Sequence, residues 1–214
     1  MVDPKHKLRL ASARLEGLGD GIFAVAMTIL IIEVGVPIVK GNNLSDFWNV
    51  LQGSGHDLLC YAISFAVLGI MWFGHRMMFE YIGKTNRSFI FLGVLFYMIV
   101  CLVPFSTRFL SANPFRWYAI MVYGLNLSLC NLTLFAQWSY GIRKHRLLEK
   151  DLPNEVKTEA RKLFYYHQWC ILSPLHFPFS HLSLASLSTS SHLFCIYCRI
   201  GWISICLKVV SYEP

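Results

Sequence analysis

Three ionisable residues, Asp20, Glu33 and His75, lie inside or at the ends of long apolar segments. Carboxylates and imidazoles at such positions can relay protons, so a proton-coupled membrane transporter is one function to consider. A carboxylate inside the bilayer costs roughly 2.5–3.5 kcal/mol on insertion scales, so Asp20 needs polar partners or water. Its place just before "IFAVAMTILII" predicts a position in the first helical turn, where the helix dipole stabilises an acid. Arg14 and Arg76 are the cationic candidates on the same side of the membrane.

Three residues near the C-terminus, His192, Cys195 and Cys198, are spaced three apart and could bind a metal. Structural zinc sites need four ligands, usually with a second pair at a set spacing. The sequence contains no second C-x-x-C, and it has no catalytic triad, phosphate-binding loop or nucleotide fingerprint. We therefore expect no metal, no other cofactor and no enzymatic activity.

The composition points to a protein embedded in a membrane. Of 214 residues, 55% are hydrophobic and only 14% are charged, whereas soluble domains carry about a quarter charged residues. Four apolar segments are long enough to span a bilayer: Leu18–Val36, Leu58–Gly74, Ser88–Thr107 and Trp117–Ile142. We predict an all-α integral membrane protein, a polytopic helix bundle. The sequence shows no inverted repeat between its halves and no helix broken at the midplane, which disfavours a transporter.

The distribution of basic residues predicts the orientation and the organisation of the chain. Fourteen Lys and Arg lie in the N-terminal segment and the connections on its side of the membrane, against three on the other side. By the positive-inside rule the N-terminus is cytoplasmic. The first span is too long for a secretory signal, and no cleavage site follows it. We predict a basic cytoplasmic arm (1–13), transmembrane helices one to four (14–142), a cytoplasmic linker (143–162) and a C-terminal segment (163–214).

The C-terminal segment differs in composition from the rest of the chain. From Tyr165 onward Ser, His and Cys are concentrated, no helical period persists, and Pro174 and Pro178 interrupt the apolar stretch. We hypothesise that residues 165–214 come from a shifted reading frame. Translation of the other two frames of the gene tests this hypothesis, because two clean apolar helices there would support it.

An apolar stripe runs along the first span. Val25, Ile29 and Ile32 fall at i, i+4 and i+7, which places them on one helix face, and Thr28 lies beside them. Such a stripe can simply face lipid or pack against another helix. Alternatively, copies of the stripe can meet on a symmetry axis and form a narrow apolar ring, which gates ions by dewetting.

Three sequence elements together resemble one channel family. "RLEGLGDGIFAVAMTILIIEV" resembles the R-x-x-x-F-S-D signature of the transmembrane protein 175 family of potassium channels. Arg14 and Asp20 match the signature, whereas Leu18 and Gly19 replace its Phe and Ser. "WFGHR", from Trp72, is similar to the family's W-x-x-H, and "CLVPFSTRF" is similar to its P-F-S/T element. The resemblance covers residues 14–142.

This resemblance implies a potassium-selective channel with a six-helix subunit, assembled in prokaryotic members as a homotetramer in the cell membrane. The first helix of each subunit would line the pore, and potassium would be the permeant ion. The chain has no T-V-G-Y-G filter; instead the family's apolar constriction and threonine layer correspond here to Val25, Ile29, Ile32 and Thr28. The family's cytoplasmic-side packing network corresponds to Arg14, Asp20, Trp72 and His75.

Overall fold

A computed structural model describes residues 4–36, 38–39, 43–114 and 116–143, and, further on, 147–148, 158, 162, 164–165 and 168. Six helices follow one another along the described part of the chain: α1 (Pro4–Val34), α2 (Leu44–Gly53), α3 (Gly55–Tyr81), α4 (Arg87–Val100), α5 (Val103–Ala112) and α6 (Trp117–Arg143). The prediction of an all-α chain is confirmed for these residues.

Four stretches are long and apolar enough to cross a membrane: Ser12–Val34, Gly55–Tyr81, Arg87–Ala112 and Trp117–Arg143. They contain 23 to 27 residues, or about 35–40 Å at 1.5 Å per residue, which exceeds the roughly 30 Å of a hydrocarbon core. The four predicted spans are therefore confirmed. A six-helix subunit needs two more helices from residues 163–214. That segment, which includes Cys195 and Cys198, falls almost wholly outside the described residues.

The first helix begins much earlier than its apolar run. Pro4 is its first residue, a position where proline costs nothing because the first amide has no helical acceptor. Residues 4–13 of the predicted basic arm are therefore helical and continuous with the span. Asp20 lies about four turns inside the helix, so the prediction that the helix dipole stabilises it in the first turn is wrong. Its compensation must come from a side chain.

The end of α1 is set by local backbone chemistry. Gly35 has φ +72° and donates its amide to the carbonyl of Ile32 (3.2 Å). This left-handed conformation closes the helix and suits glycine, which has no Cβ to clash.

The third span consists of two helices. α4 ends at Val100 and α5 begins at Val103, with Pro104 in its first turn, and proline removes the amide that a continuous helix would need there. The predicted third span is therefore one apolar stretch built from two consecutive helices. Backbone hydrogen bonds from the amide of Cys101 to the carbonyl of Tyr97 and from the amide of Ser106 to the carbonyl of Leu102 (both 3.0 Å) lie on either side of the joint.

The pore-helix candidate α1 packs against α3, α4 and α5, and α6 packs across α4 and α5. The four largest fully buried side chains are aromatic: Tyr97, Phe23, Phe89 and Phe96. They come from α1 and α4, and α3 adds the fully buried Leu68 and His75. One side of α1 is therefore held by an aromatic core.

The described part of the predicted linker returns to the end of α3. Leu147 accepts a backbone hydrogen bond from Lys84 (3.3 Å), and Leu148 forms an isolated antiparallel bridge with Ile82. This contact ties the segment after α6 to the end of the bundle that also holds the start of α1.

Candidate functional site

The helix α1 has one buried face. Leu15, Phe23, Ala26 and Leu30 are at most 5% exposed and recur at the three- and four-residue intervals of one helical side. This face belongs to the hydrophobic core of the subunit.

The remaining face of α1 carries the predicted apolar stripe. Val25, Ile29 and Ile32 are 57%, 36% and 72% exposed, and Thr28 between them is also exposed. The Thr28 hydroxyl donates a hydrogen bond to the carbonyl of Val25 (2.8 Å). Because that bond uses the proton, the oxygen lone pairs stay available to a cation. The four residues predicted for the constriction and the selectivity layer thus share a side that the described part of the subunit leaves open.

Two members of the predicted packing network, Asp20 and Trp72, are in direct contact. The indole Nε1 of Trp72 donates a hydrogen bond to Oδ1 of the half-buried Asp20 (2.7 Å). A hydrogen bond to an ionised acceptor is shorter and stronger than a neutral one. This bond supplies the polar partner that an acid within a span requires.

The third member, His75, bonds to a residue that the sequence did not single out. Its Nε2 lies 2.8 Å from the hydroxyl of Tyr97, and the Tyr97 hydroxyl donates to the backbone carbonyl of Leu15 (2.8 Å). Since the tyrosine proton is used on Leu15, His75 donates to Tyr97 through Nε2. These two bonds join α3 and α4 to the backbone of α1.

The surroundings of His75 are aromatic. Its ring lies 4.8 Å from that of Phe79, 5.7 Å from that of Phe96 and 5.9 Å from that of Phe23, measured between centroids, and the residue is fully buried. A protonated imidazole here would place a second N–H in an apolar cage without an acceptor. This geometry argues against the transporter hypothesis, in which His75 and Asp20 exchange protons.

The fourth member, Arg14, lies away from Asp20 in this subunit. Its side chain is exposed, on the same side of α1 as Val25. Arg76, at the same end of the described bundle, forms an ion pair with Glu16, with a nitrogen–oxygen distance of 3.6 Å and side chains 56% and 31% exposed. The structure thus brings together Asp20 with Trp72 and places His75 close by, while Arg14 stays separate.

A second polar cluster crosses the other half of the bundle. Thr107 donates to the hydroxyl of Ser64 (2.9 Å), which also contacts the hydroxyl of Tyr123 (3.0 Å). In the first turn of α3, Asp57 pairs with Arg108 (3.7 Å) and accepts a hydrogen bond from Ser111. These contacts join α3, α5 and α6 and lie apart from the exposed stripe of α1.

Within the described residues, no group of three His, Cys, Asp or Glu side chains is arranged to hold a metal.

The contact between Asp20 and Trp72 predicts a measurable coupling. In a double-mutant cycle with Trp72→Phe and Asp20→Asn, we expect a coupling free energy of roughly 1–2 kcal/mol in the unfolding of detergent-solubilised protein. Trp72→Phe removes the indole donor, and Asp20→Asn replaces the carboxylate by an amide oxygen, which is a weaker acceptor when the carboxylate is ionised. The matched control is the exposed pair Arg76–Glu16, whose cycle should give at most about 0.5 kcal/mol. Equal coupling in the two cycles would contradict this assignment.

Sequence comparisons match this chain to a family model and to known channel proteins. A family model described as the endosomal/lysosomal potassium channel TMEM175 matches residues 14–104. A potassium channel of Streptomyces collinus is 32% identical over 156 residues, which cover 70% of this chain and 75% of that protein. A potassium channel of Chamaesiphon minutus is 30% identical over 141 residues, covering 64% and 69%. The human endosomal/lysosomal proton channel TMEM175 is 30% identical over 109 residues, 48% of this chain and 22% of that protein.

A solved structure shares the fold. The crystal structure of a lysosomal potassium-selective channel TMEM175 homologue from Chamaesiphon minutus superposes with a TM-score of 0.68 at 24% identity. The superposition covers 92% of this chain and 97% of that one. At this level of identity the likeness concerns the fold of the subunit.

Proposed function

Because this chain belongs to the TMEM175 family of potassium channels, we propose that it is an integral membrane channel that conducts potassium. The observation that carries the proposal is the two-sided character of α1. One side is buried in the aromatic core, and the other presents Val25, Thr28, Ile29 and Ile32 without cover from the described part of the subunit. A helix of this kind is suited to line a passage shared between subunits.

The proposed assembly is a homotetramer with the four α1 helices around the central axis. A closed cyclic arrangement gives every copy the same environment, so each exposed side chain would form a ring. Rings of Val25, Ile29 and Ile32 would make an apolar constriction that stays closed while it is dry. Rings of Thr28 would offer oxygen atoms to a partly dehydrated cation and favour potassium. No cofactor and no catalytic step are part of this proposal.

The proposed location is the cell membrane of a prokaryote, with the N-terminus in the cytoplasm. The excess of Lys and Arg on the N-terminal side supports this orientation. The matches to the two bacterial channels cover 75% and 69% of those proteins, against 22% of the human relative, which supports a subunit of the short bacterial type.

Electrical recording tests the proposal. Purified protein in a planar bilayer, with potassium on one side and sodium on the other, should give discrete current steps that reverse toward the potassium equilibrium potential. A channel lets ions cross without a transport cycle, whereas a transporter gives slow, saturable uptake coupled to a second solute. Smooth saturable flux, or steps that reverse at zero voltage, would refute a potassium-selective channel.

A further inference from the structure

The short helix α2 differs from the other helices because none of its residues is buried. It follows α1 and precedes α3, so it lies at the end of the bundle opposite the N-terminus. A single residue, Ser54, separates it from α3. The amide of Ser54 donates to the carbonyl of Val50 (3.1 Å), and the carbonyl of Ser54 accepts from Leu58 (3.0 Å). These bonds hold α2 directly before the span Gly55–Tyr81.

The side chains of α2 fall into three sectors. Asp46 and Val50, four residues apart, are half-buried. A second sector is polar and exposed, at i, i+4 and i+7: Ser45, Asn49 and Gln52. The third sector is apolar and exposed, at i, i+3, i+4 and i+7: Leu44, Phe47, Trp48 and Leu51. A helix in water would gain nothing from gathering its apolar residues on a side that faces neither the bundle nor another described element.

The apolar sector is both large and aromatic. Leu44, Phe47, Trp48 and Leu51 are 74%, 46%, 51% and 37% exposed. The rings of Phe47 and Trp48 meet edge to face with centroids 5.7 Å apart. Tryptophan and phenylalanine on one side of an amphipathic helix, with polar residues on another, are typical of helices that lie in the plane of a membrane surface.

The apolar surface continues onto the neighbouring span. Leu58 and Leu59, in the first turn of α3, are 39% and 50% exposed. Exposed leucines on a membrane-spanning helix meet lipid when no other helix covers them. The apolar sector of α2 therefore adjoins a surface that already lies at membrane depth.

We propose that α2 is an interfacial helix whose apolar sector, Leu44, Phe47, Trp48 and Leu51, is embedded in the lipid leaflet opposite the N-terminus. The partner is the boundary between lipid headgroups and acyl chains, into which such helices sink by about 5–10 Å. The polar sector faces water, and the half-buried sector rests on α3. This inference requires only that the chain spans a membrane, so it is independent of ion conduction.

Quenching of Trp48 fluorescence by lipid tests the inference. The full-length protein is reconstituted in phosphatidylcholine vesicles that carry bromine at shallow acyl positions. The signal is the difference in emission between the wild type and Trp48→Phe, which removes the contributions of the other tryptophans. We expect the brominated lipid to abolish most of the Trp48 emission and aqueous iodide to leave it almost unchanged.

The matched control moves the indole by one position onto the polar sector. In the variant Trp48→Phe/Asn49→Trp, the new indole should emit at longer wavelength. Its emission should be quenched by iodide and should not be quenched by the brominated lipid. Iodide quenching of Trp48 itself would overturn the inference, because that indole would then face water. Protection of Trp48 from both quenchers would overturn it as well, because a neighbouring subunit or another segment would then cover α2. Equal bromine quenching at both positions would refute the proposed orientation.

Discussion

Replacement of Ile29 by asparagine is expected to raise the potassium flux through the assembled channel. Ile29 occupies the middle of the exposed stripe of α1, and the proposed constriction blocks ions because its apolar wall excludes water. A ring of amides would hold water in the passage and lower the barrier to permeation. We expect about a tenfold rise in potassium and rubidium uptake into liposomes, equivalent to about 1.4 kcal/mol of barrier. Sodium uptake should rise at least as much, because a wet passage discriminates less between hydrated cations.

The control for this experiment is Ile31→Asn. Ile31 has the same side chain, lies two residues away at almost the same depth, and is 46% exposed against 36% for Ile29. Because two residues correspond to about 200° around a helix, it points to the opposite flank of the exposed side. We expect Ile31→Asn to leave the flux per channel unchanged, whatever it does to assembly. A rise with Ile31→Asn and none with Ile29→Asn would place the passage along another face and refute the proposed stripe.

Periodicity in the sequence was sufficient to find the exposed stripe, because an α-helix repeats every 3.6 residues whatever surrounds it. Val25, Ile29 and Ile32 were grouped by spacing alone, and the structure leaves all three exposed on one side of α1. Periodicity cannot say what lies opposite an exposed stripe, since lipid and an apolar constriction both select the same residues. The assignment of this stripe to a pore therefore stays a prediction that the Ile29 experiment tests.

Long-range polar contacts were only partly predictable. Asp20 required a partner because an uncompensated acid is costly in a membrane. Trp72 was predicted as a member of the packing network because it begins the element that resembles the family's W-x-x-H. Tyr97 was missed, since it sits in an uncharged apolar run and its acceptor, the carbonyl of Leu15, is 82 residues away. Ser12, which donates to the carbonyl of Ile82 (3.1 Å), was missed because its acceptor is 70 residues away. The available signal was general: a buried hydroxyl in a span must find an acceptor.

Helix boundaries show a different limit of reading the sequence. Hydropathy marks where a segment can enter the membrane, but helical backbone bonds extend beyond that point wherever no residue stops them. The segment from Pro4 to Gly17 contains no internal proline, so α1 continues through the charged arm. Conversely, Pro104 divides a span that hydropathy reads as continuous.

Gly19 is a position where a small substitution should have a large effect on stability. It replaces the serine of the family signature, and it is buried. A Cβ at this position would lie 2.7 Å from Cε1 of His75 and 2.7 Å from the hydroxyl of Tyr97. The close approach follows from the hydrogen bonding, because in an α-helix the carbonyl of Leu15 is the acceptor for the Gly19 amide, and Tyr97 donates to that same carbonyl.

We expect Gly19→Ala and Gly19→Ser to destabilise the subunit by about 1–2 kcal/mol, because overpacking in the aromatic core outweighs the gain in helix propensity. The measurement is thermal or denaturant unfolding of the protein in detergent. Gly17→Ala is the matched control on the same helix, since nothing lies within 4 Å of a Cβ built there, and it should be neutral or stabilising. A second test replaces Tyr97 by phenylalanine, which removes the hydroxyl that meets the new Cβ and should recover part of the loss in Gly19→Ala. If Gly19→Ala and Gly17→Ala shift stability in the same direction, then His75 and Tyr97 do not press against α1, and the anchoring of the pore-helix candidate must come from elsewhere.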